Sequence, residues 1–372
     1  DTALSLGDVR IKKTLRIVAG LFLLLTVLFT VFAFRVNARF GAVETEPVNC
    51  STKAPLFKFP QEIKVMTWNV QFLAGKGYVF FFDVLDGSGP DTRPDRSAVS
   101  ATLAEVIRVV REESPDFVLL QEVDEGAKRT DYQDQIALIY QGLREVYPCY
   151  ATTYYWRSKF VPHPKIWGAV GMKLATLSRY HIKSARRVQL PVMPGLWWKQ
   201  QFELKRAVLD VEIASESKFP LHVLNTHLDA FAQGTDTMRQ QVERIAGMLA
   251  TYDYEGIPWI LGGDFNLLPN REAFDELPEF RKSYYNSETE LNTLIQKYQS
   301  VPDTRSASNR RLEWRTHFPN DPRVKAPDSI IDYLFVSPKV EILRRRVRQD
   351  DTFKISDHFP VIGELLIKEK QK

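Results

Sequence analysis

The chain has 372 residues, of which 44% are hydrophobic and 26% charged, a composition typical of a protein that buries a core and not of a disordered chain. Its formal net charge is +4, and the first 34 residues carry half of it, because four basic residues there oppose two acidic ones. The rest of the chain is therefore too nearly neutral to coat a polyanion such as nucleic acid by charge alone.

An apolar segment near the N-terminus predicts a membrane span. Residues 17–34 carry no charge, and at about 1.5 Å per residue they reach roughly 27 Å, close to the thickness of a hydrocarbon core. We predict an N-terminal segment over 1–14 and a transmembrane helix over 15–36. A cleaved signal peptide is the competing interpretation. A buried core helix is disfavoured because the segment is apolar on every face.

The charges that flank the apolar segment predict its orientation. Four basic residues precede it, and Arg35 and Arg39 follow it. Because cytoplasmic flanks carry the excess of basic residues, this pattern favours a single-pass protein with a cytoplasmic N-terminus. The rest of the chain would then lie outside the cytoplasm, in a periplasmic, lumenal or cell-surface position.

The segment that follows, 37–61, contains three prolines and is predicted to be a linker. It includes a glycosylation sequon at 49–51, which matters only in a eukaryotic secretory pathway. Cys50 and Cys149 are the two cysteines of the chain, and their spacing does not indicate a zinc site. A disulfide between them would suit an exported domain, and two unpaired thiols remain the alternative.

The remaining sequence alternates between strand-like and helix-like patterns. Strands are predicted over 63–70, 116–123, 168–178, 207–215, 220–228 and 257–266. Helices are predicted over 97–113, 135–147 and 236–251. Paired strand-rich segments with helices between some of them favour a four-layer α/β sandwich, in which helices cover two sheets. This domain is expected to extend over 62–368.

Short polar motifs follow or lie within several of these apolar runs. They read TWN at 67–69, LLQE at 119–122, LNTHL at 224–228, GGDFN at 262–266, IDYLF at 331–335 and SDHFP at 356–360. Strand ends of one sandwich can converge, so we expect the acidic, amide and histidine side chains to form one site. Oxygen ligands of this kind suit a hard divalent cation and a phosphate.

The six motifs, in this order, resemble the endonuclease/exonuclease/phosphatase superfamily. That superfamily includes deoxyribonucleases, abasic-site endonucleases, inositol-polyphosphate 5-phosphatases and neutral sphingomyelinases. The resemblance covers roughly 62–368 and implies a DNase I-like sandwich of two mixed β-sheets flanked by helices. It also implies a Mg²⁺-dependent phosphoesterase, with Mn²⁺ as a substitute, in which water attacks the phosphorus in line and no covalent intermediate forms.

The resemblance assigns roles to the acidic and amide residues near the expected cation. Glu122 would be the main Mg²⁺ ligand, and it follows a buried apolar run where an unpaired carboxylate is costly. Asn69 would lie beside the metal and the phosphate, as a further metal ligand and a catalytic residue. Asp357 would stand at the edge of the metal site, directly or through water.

The resemblance also assigns the groups that act on the phosphate and on water. His358 would be the general base, and Asp332 would accept its other ring proton and fix its tautomer. Asn266 would bind a phosphate oxygen while Asp264 orients the attacking water or its activating group. His227 would donate to a non-bridging oxygen or protonate the leaving oxygen, and abasic-site endonucleases typically lack a histidine there. The other histidines match no motif and are predicted to be structural or at the surface: His163, His181, His222 and His317.

Aromatic clusters and the predicted anchor indicate a substrate class. The clusters are Phe80 to Phe82, Tyr154 to Trp156, and Trp197 with Trp198. Aromatics of this kind suit a membrane interface, although a buried core is the alternative for each cluster. A domain held at a bilayer meets lipid headgroups, so we predict a phospholipid or sphingolipid headgroup as substrate, the bilayer as partner and no obligate protein partner. The irregular segments 75–96 and 270–328 should flank the site and determine substrate choice.

Two further functions stay open at this point. An anchored nuclease would use the same catalytic residues, and the basic runs 186–187 and 344–346 could follow a phosphate backbone. A solvated face is the alternative for those runs. A non-catalytic binding protein with this fold is disfavoured because the catalytic motifs are complete.

Overall fold

The computed structural model describes residues 2–217, 219–230, 232–304 and 312–368, with side chains from residue 9 onward. Asp1, at the start of the predicted segment 1–14, lies outside the described residues.

In the described part of the chain, fourteen strands form two seven-stranded sheets. The first sheet has the order β13-β14-β3-β4-β6-β5-β2 and the second has the order β1-β7-β8-β9-β10-β12-β11. The strands are β1 (Val43–Glu46), β2 (Val48–Cys50), β3 (Gln61–Asn69), β4 (Phe117–Asp124), β5 (Cys149–Val161), β6 (Gly168–Ser178), β7 (Ile182–Gln189), β8 (Ala207–Ile213), β9 (Leu221–His227), β10 (Trp259–Asp264), β11 (Gln299–Val301), β12 (Asp332–Val336), β13 (Val340–Val347) and β14 (Val361–Ile367).

The described residues also form eight α-helices, four of which cover the outer faces of the sheets. The eight are α1 (Thr2–Val36), α2 (Arg96–Glu113), α3 (Gln135–Leu143), α4 (Trp197–Phe202), α5 (Thr237–Glu255), α6 (Arg271–Asp275), α7 (Glu279–Lys282) and α8 (Asn292–Ile295). Apolar side chains of α2 and α3 pack on the first sheet, and those of α5 and α8 pack on the second. The predicted four-layer sandwich of two mixed sheets is confirmed.

Alternation along β4 shows how the layers are built. Phe117 and Leu119 point into the core between the two sheets, whereas Val118 and Leu120 point into the layer under α2 and α3. All four are fully buried, which explains why the strand reads as a continuous apolar run. The strands that we did not predict, such as β5 and β7, carry polar residues on an exposed or half-exposed face.

Part of the segment predicted as a linker, 37–61, belongs instead to the folded body. β1 pairs with β7 at the edge of the second sheet, and β2 pairs with β5 at the edge of the first. A disulfide joins Cys50 to Cys149, directly across the β2–β5 pair. The prolines suggested a linker, but Pro47 falls between the two short strands and interrupts neither ladder.

The N-terminal helix extends away from this body. Its portion Val9–Val36 contains an 18-residue window with a mean hydropathy of 2.7, of which 6% is buried, so by length and composition it can cross a membrane. Only its last turns contact the domain. Ala33 is fully buried there, and the rings of Phe29 and Phe34 lie 6.1 Å and 6.3 Å from those of Trp198 and Trp197 in α4.

Candidate active site

The strand register gathers the predicted site residues at one edge of the sandwich. β9 and β10 run parallel and end together, so His227 is the cross-strand partner of Asp264. Asp332 begins the antiparallel strand β12 on the other side and also pairs with Asp264. In the facing sheet, β3 and β4 run parallel and bring Asn69 and Glu122 to the same edge. Polar ends of both sheets therefore face one site.

Glu122 reaches the site through an irregularity in β4. Its φ is +56°, a left-handed value that a non-glycine residue rarely adopts, and the pairing of β4 with β6 shifts between Leu120 and Val123. Such bulges re-aim a side chain next to active sites. The preceding residue, Gln121, points between the sheets instead and donates to Asn225 Oδ1 at 2.8 Å. Sequence reasoning missed this polar bridge between two of the motifs.

Asn69 orients two carboxylates. Its Nδ2 donates to Glu122 Oε1 at 3.1 Å and to Asp264 Oδ2 at 3.0 Å, while its Oδ1 accepts the Gln71 backbone N–H at 3.0 Å. A metal ligand would have to offer the amide oxygen, and that oxygen points at the backbone. The predicted place of Asn69 beside the metal therefore fits this geometry, but its predicted service as a metal ligand does not.

His358 and Asp332 form a close pair. Both carboxylate oxygens of Asp332 lie within 3.1 Å of Nδ1, so this nitrogen carries a proton and Nε2 faces the cavity. Trp68 Nε1 donates to the His358 backbone oxygen at 2.9 Å and holds the loop before β14 in place. Burial lowers the pKa of His358, but the charges of Asp332, Asp264 and Asp357 outweigh burial and raise that pKa well above its usual value.

His227 is held as a neutral imidazole. Burial, followed by the positive charges of Arg206 and His358, keeps its pKa well below the usual range. Its Nε2 lies 3.3 Å from Asp264 Oδ2 and its Nδ1 lies 3.4 Å from the Tyr155 hydroxyl. If the neutral ring carries its proton on Nε2 and directs it toward the carboxylate, Nδ1 accepts a hydrogen bond from the tyrosine hydroxyl. The carboxylate and the hydroxyl together therefore determine the tautomer.

Asn266 turns away from the strand directly after β10. Its φ of +53° lies in the left-handed region that asparagine tolerates, and its backbone N–H donates to Asp264 Oδ1 at 3.0 Å. Its Nδ2 donates to the Leu228 carbonyl at 3.2 Å, and the side chain lines the same cavity as the two histidines.

Asp264 is fully buried, and burial raises its pKa against the opposing effect of the His358 charge.

A set of acidic groups on one side of the cavity suits a divalent cation. Burial and then the negative charge of Asp357 raise the pKa of Glu122. Asp83, which sequence reasoning missed, has its pKa raised to about 7 by burial and by the charge of Asp357. Clustered carboxylates provide the oxygen ligands and negative charge that a hard cation needs. Glu122 and Asp357 therefore stay the predicted Mg²⁺ ligands, and Asp357 forms with His317 and His358 a group whose possible ligand atoms lie within 4.8 Å of one another.

Other residues complete the cavity without belonging to any motif. His317, which we predicted to be structural or at the surface, instead lies in the cavity wall, and its ring centroid is 4.5 Å from that of His358. Arg129 also lines the cavity and binds both Asp124 oxygens, at 2.8 Å and 2.9 Å. Thr316, next to His317, ties this segment to the site, because its hydroxyl accepts the backbone N–H of Asp332 at 3.1 Å.

Of the three remaining histidines, one lines the cavity and two lie elsewhere in the domain. His163 lines the cavity and stacks on Phe81 with 5.2 Å between ring centroids. Nδ1 of the buried His222 lies 2.8 Å from Asp210 Oδ1, and Nδ1 of His181 lies 3.4 Å from Cys50 Sγ. Both contacts belong to the scaffold, in agreement with a structural role.

The cavity itself measures about 630 Å³ and is built largely from irregular segments. The predicted flanking segments 75–96 and 270–328 supply Phe81, Asp83 and Tyr285 among other wall residues. All the predicted site residues except Asn69 and Asp332 line the cavity, and those two lie directly behind it against Glu122, Asp264 and His358.

The sequence profile of the Endonuclease/Exonuclease/phosphatase family matches residues 66–358, which is most of the chain. The chain belongs to this family. Members of the Endonuclease/Exonuclease/phosphatase family are phosphoesterases and nucleases that generally depend on a divalent metal, and the acidic and histidine groups described above could bind one. Comparison with curated protein sequences finds no match.

Solved structures of the Endonuclease/Exonuclease/phosphatase family share the fold. A family member from Beutenbergia cavernae aligns with a TM-score of 0.55 at 20% identity, over 83% of this chain and 72% of that one. TDP2 from C. elegans aligns with a TM-score of 0.50 at 15% identity, over 82% of this chain and 75% of that one. At identities this low, the structural alignments show a shared fold alone.

Proposed function

We propose that the protein is a membrane-anchored, Mg²⁺-dependent phosphoesterase that hydrolyses a phospholipid or sphingolipid headgroup. The observation that carries this proposal is the direct packing of α1 against the active-site wall. Trp198 contacts Phe29 of α1 and also lines the catalytic cavity. If α1 spans a bilayer, this packing keeps the catalytic groups beside the membrane surface, where headgroup phosphoesters are concentrated.

The geometry supports hydrolysis by activated water. His358 offers Nε2 to the cavity while Asp332 holds the opposite nitrogen, so the pair can take a proton from water as it attacks phosphorus. A divalent cation held by Glu122 and Asp357 would polarise a phosphoryl oxygen and offset the charge that develops on it. Asp264 lies 3.6 Å from His358 Nε2 and is placed to orient the same water.

Two neutral groups suit the phosphate oxygens. His227 is kept neutral by burial, so it can donate a hydrogen bond from its ring N–H to a non-bridging oxygen, whereas protonation of the leaving oxygen would need the imidazolium that burial disfavours. Asn266 lines the cavity with part of its amide free of the bond to Leu228. In the metaphosphate-like geometry of phosphoryl transfer, donors fixed in advance stabilise charge without reorganising.

The disulfide supports the proposed location outside the cytoplasm. Cys50–Cys149 joins β2 to β5, and disulfides persist in oxidising compartments. We therefore propose a cytoplasmic segment 1–14, a transmembrane helix over 15–36 and an extracytoplasmic catalytic domain. Because β1 and β2 belong to the sheets, that domain should begin before residue 62.

The nuclease alternative loses part of its support. Arg187 is fully buried and donates to the Tyr154 carbonyl at 2.9 Å, so it is unable to follow a phosphate backbone. Arg346 pairs with Glu113 at 2.8 Å, and Arg345 donates to the Ser300 carbonyl at 3.0 Å. Arg187, Arg345 and Arg346 are thus engaged within the domain, whereas Arg344 stays 70% exposed beside Glu364.

A turnover panel tests the proposed function. The full-length protein would be offered sphingomyelin, a phosphoinositide, phosphatidylcholine, and single- and double-stranded DNA, each with Mg²⁺ and with chelator. We expect hydrolysis of at least one lipid in Mg²⁺ and none by the His358→Ala variant. Cleavage of DNA together with inertness toward every lipid would overturn the lipid proposal and favour the nuclease.

A further inference from the structure

We propose that the apolar end of the catalytic cavity binds an alkyl chain of the substrate, which enters from the bilayer beside α1. This proposal rests on the proposed phosphoesterase function and adds a binding site for the part of the substrate that lies beyond the phosphoester. It assigns the substrate class as an amphiphile, with the phosphoester at the polar end of the cavity and its chain at the other.

The cavity has two chemically different ends. One end holds the catalytic histidines and carboxylates. The other end has a wall of large apolar side chains, and six of them are Phe81, Phe82, Trp156, Met193, Trp198 and Phe202. A headgroup phosphate needs only the first end. Apolar surface that water must cover is costly, so the second end is suited to an apolar part of the ligand.

The apolar end continues into a second, smaller space. A neighbouring cavity of about 200 Å³ shares Phe81, Phe82, Trp156 and Ile166 with the first one, so the two cavities adjoin at these side chains. Trp167, which is 60% exposed, stands at its outer side and packs edge-on against Phe160 at 5.2 Å. Both cavities expose more apolar than polar surface, and the charged residues Arg93, Lys128 and Lys165 also line the smaller one. Together the adjoining cavities form an apolar path, and such a path suits a chain better than a compact group.

A single layer of side chains separates this path from α1. Val161 and Phe202 line the first cavity, and both pack in the same apolar cluster as Ala33 of α1, with Trp156 and Ile166 packed against that cluster. Phe32 of α1 also contacts Phe160 at 6.1 Å. The apolar end of the cavity therefore lies beside the point where α1 leaves the domain. If α1 spans the membrane, this point is at the bilayer surface.

Two adjacent tryptophans provide a matched pair for testing this path. Trp197 and Trp198 follow each other in α4, are 46% and 37% exposed, and each contacts one phenylalanine of α1. Only Trp198 lines the cavity. A chain-binding role predicts different effects for the two substitutions, whereas a general role in docking α4 on α1 predicts the same effect.

The experiment measures how turnover depends on chain length. Full-length protein is held in an amphipathic polymer, so that no free detergent competes, and is given p-nitrophenyl alkyl phosphates with ethyl, hexyl and decyl chains below their micelle-forming concentrations. We expect kcat/KM to rise by roughly fourfold for each methylene group that becomes buried. Trp198→Ala and Ile166→Asn should reduce the decyl-to-ethyl ratio at least tenfold, and Trp197→Ala should leave that ratio unchanged.

A binding measurement separates this inference from the proposed function. A non-hydrolysable decyl phosphonate with a terminal diazirine should crosslink to the peptides that contain Trp198 or Ile166, and circular dichroism confirms that each variant is folded. A flat chain-length series together with hydrolysis of membrane lipid would overturn the chain site and leave the proposed function standing. Crosslinking at these peptides without hydrolysis of any lipid would support the chain site and overturn the headgroup assignment. Equal loss of the ratio in both tryptophan variants would also overturn the chain site.

Discussion

Nδ1 of His358 lies 2.9 Å and 3.1 Å from the two oxygens of Asp332, so one carboxylate holds the imidazole through a single nitrogen. The partners are 26 residues apart in sequence and lie in different elements, β12 and the loop before β14. This arrangement leaves Nε2 as the ring nitrogen that can exchange a proton in the cavity.

The pair should act as one catalytic unit. His358→Ala and Asp332→Ala should each lower kcat by roughly a hundredfold to ten-thousandfold. The double variant should be little worse than either, because the first change removes the proton acceptor and the second removes the group that orients that same acceptor. Steady-state kinetics on a soluble phosphodiester measures this. His222→Ala, which disrupts a second buried histidine–aspartate pair outside the site, is the control and should leave kcat of the folded protein unchanged. Losses that add fully would show that the two residues work separately.

The dependence of kcat/KM on pH should change when the negative charge of Asp332 is removed. This carboxylate helps to raise the pKa of His358, and only the neutral imidazole can accept a proton. Asp332→Asn removes the negative charge, so the pKa of His358 should fall and the acid limb of kcat/KM should move to lower pH while the maximum rate decreases. An acid limb that stays in place, or that moves to higher pH, would contradict the assignment of His358 as the base.

Glu122 should dominate metal affinity. Glu122→Gln keeps the shape of the side chain but removes its charge, so Mg²⁺ should bind more weakly by roughly tenfold to a hundredfold or more, and turnover should fall by several orders of magnitude. Isothermal titration calorimetry and an activity titration with Mg²⁺ measure the two effects. Glu125→Gln is the control, because this carboxylate follows the same strand but pairs with Lys173. Unchanged hydrolysis in excess chelator would rule out a metal role.

Two glycines should respond in opposite directions to alanine. At Gly263 an added Cβ would overlap the Thr226 carbonyl of the neighbouring strand, and φ there is +156°. Gly263→Ala should therefore lower the free energy of unfolding by about 2 kcal/mol or more and displace Asp264 from its partners. At Gly247, inside α5, a Cβ meets nothing within 4 Å, so Gly247→Ala should stabilise the fold by about 0.5–1 kcal/mol. Chemical denaturation measures both changes, and equal effects would contradict the close approach of β9 and β10.

The sequence anticipated the part of the site that lies at strand ends. Apolar runs followed by a polar residue predicted where Glu122, His227 and Asp264 would emerge, and the strand register brings them together. The resemblance to a family supplied the partnership of His358 and Asp332, which the spacing alone does not reveal.

The residues on irregular segments could not be predicted in the same way. Asp83 and His317 enter the cavity through loops whose path depends on long-range contacts, such as the bond from Asn320 to Asp83 at 3.2 Å. The edge strands β1 and β2 were mistaken for a linker because three or four residues are too few to show alternation beside prolines. The left-handed backbone of Glu122 also has no local signal, since the surrounding residues read as an ordinary strand.

The first residues after α1 determine how far the enzyme can reach. Asn37 forms a bridge with Ser158, and the Ala38 N–H donates to the Arg157 carbonyl at 3.0 Å, so the chain is fixed to the domain as soon as the helix ends. A domain attached in this way cannot swing out to an opposing membrane or follow a dissolved polymer. If α1 spans a bilayer, as we propose, the domain would act only on the leaflet beside it, and its encounters with substrate would be governed by lateral diffusion in two dimensions rather than by bulk concentration.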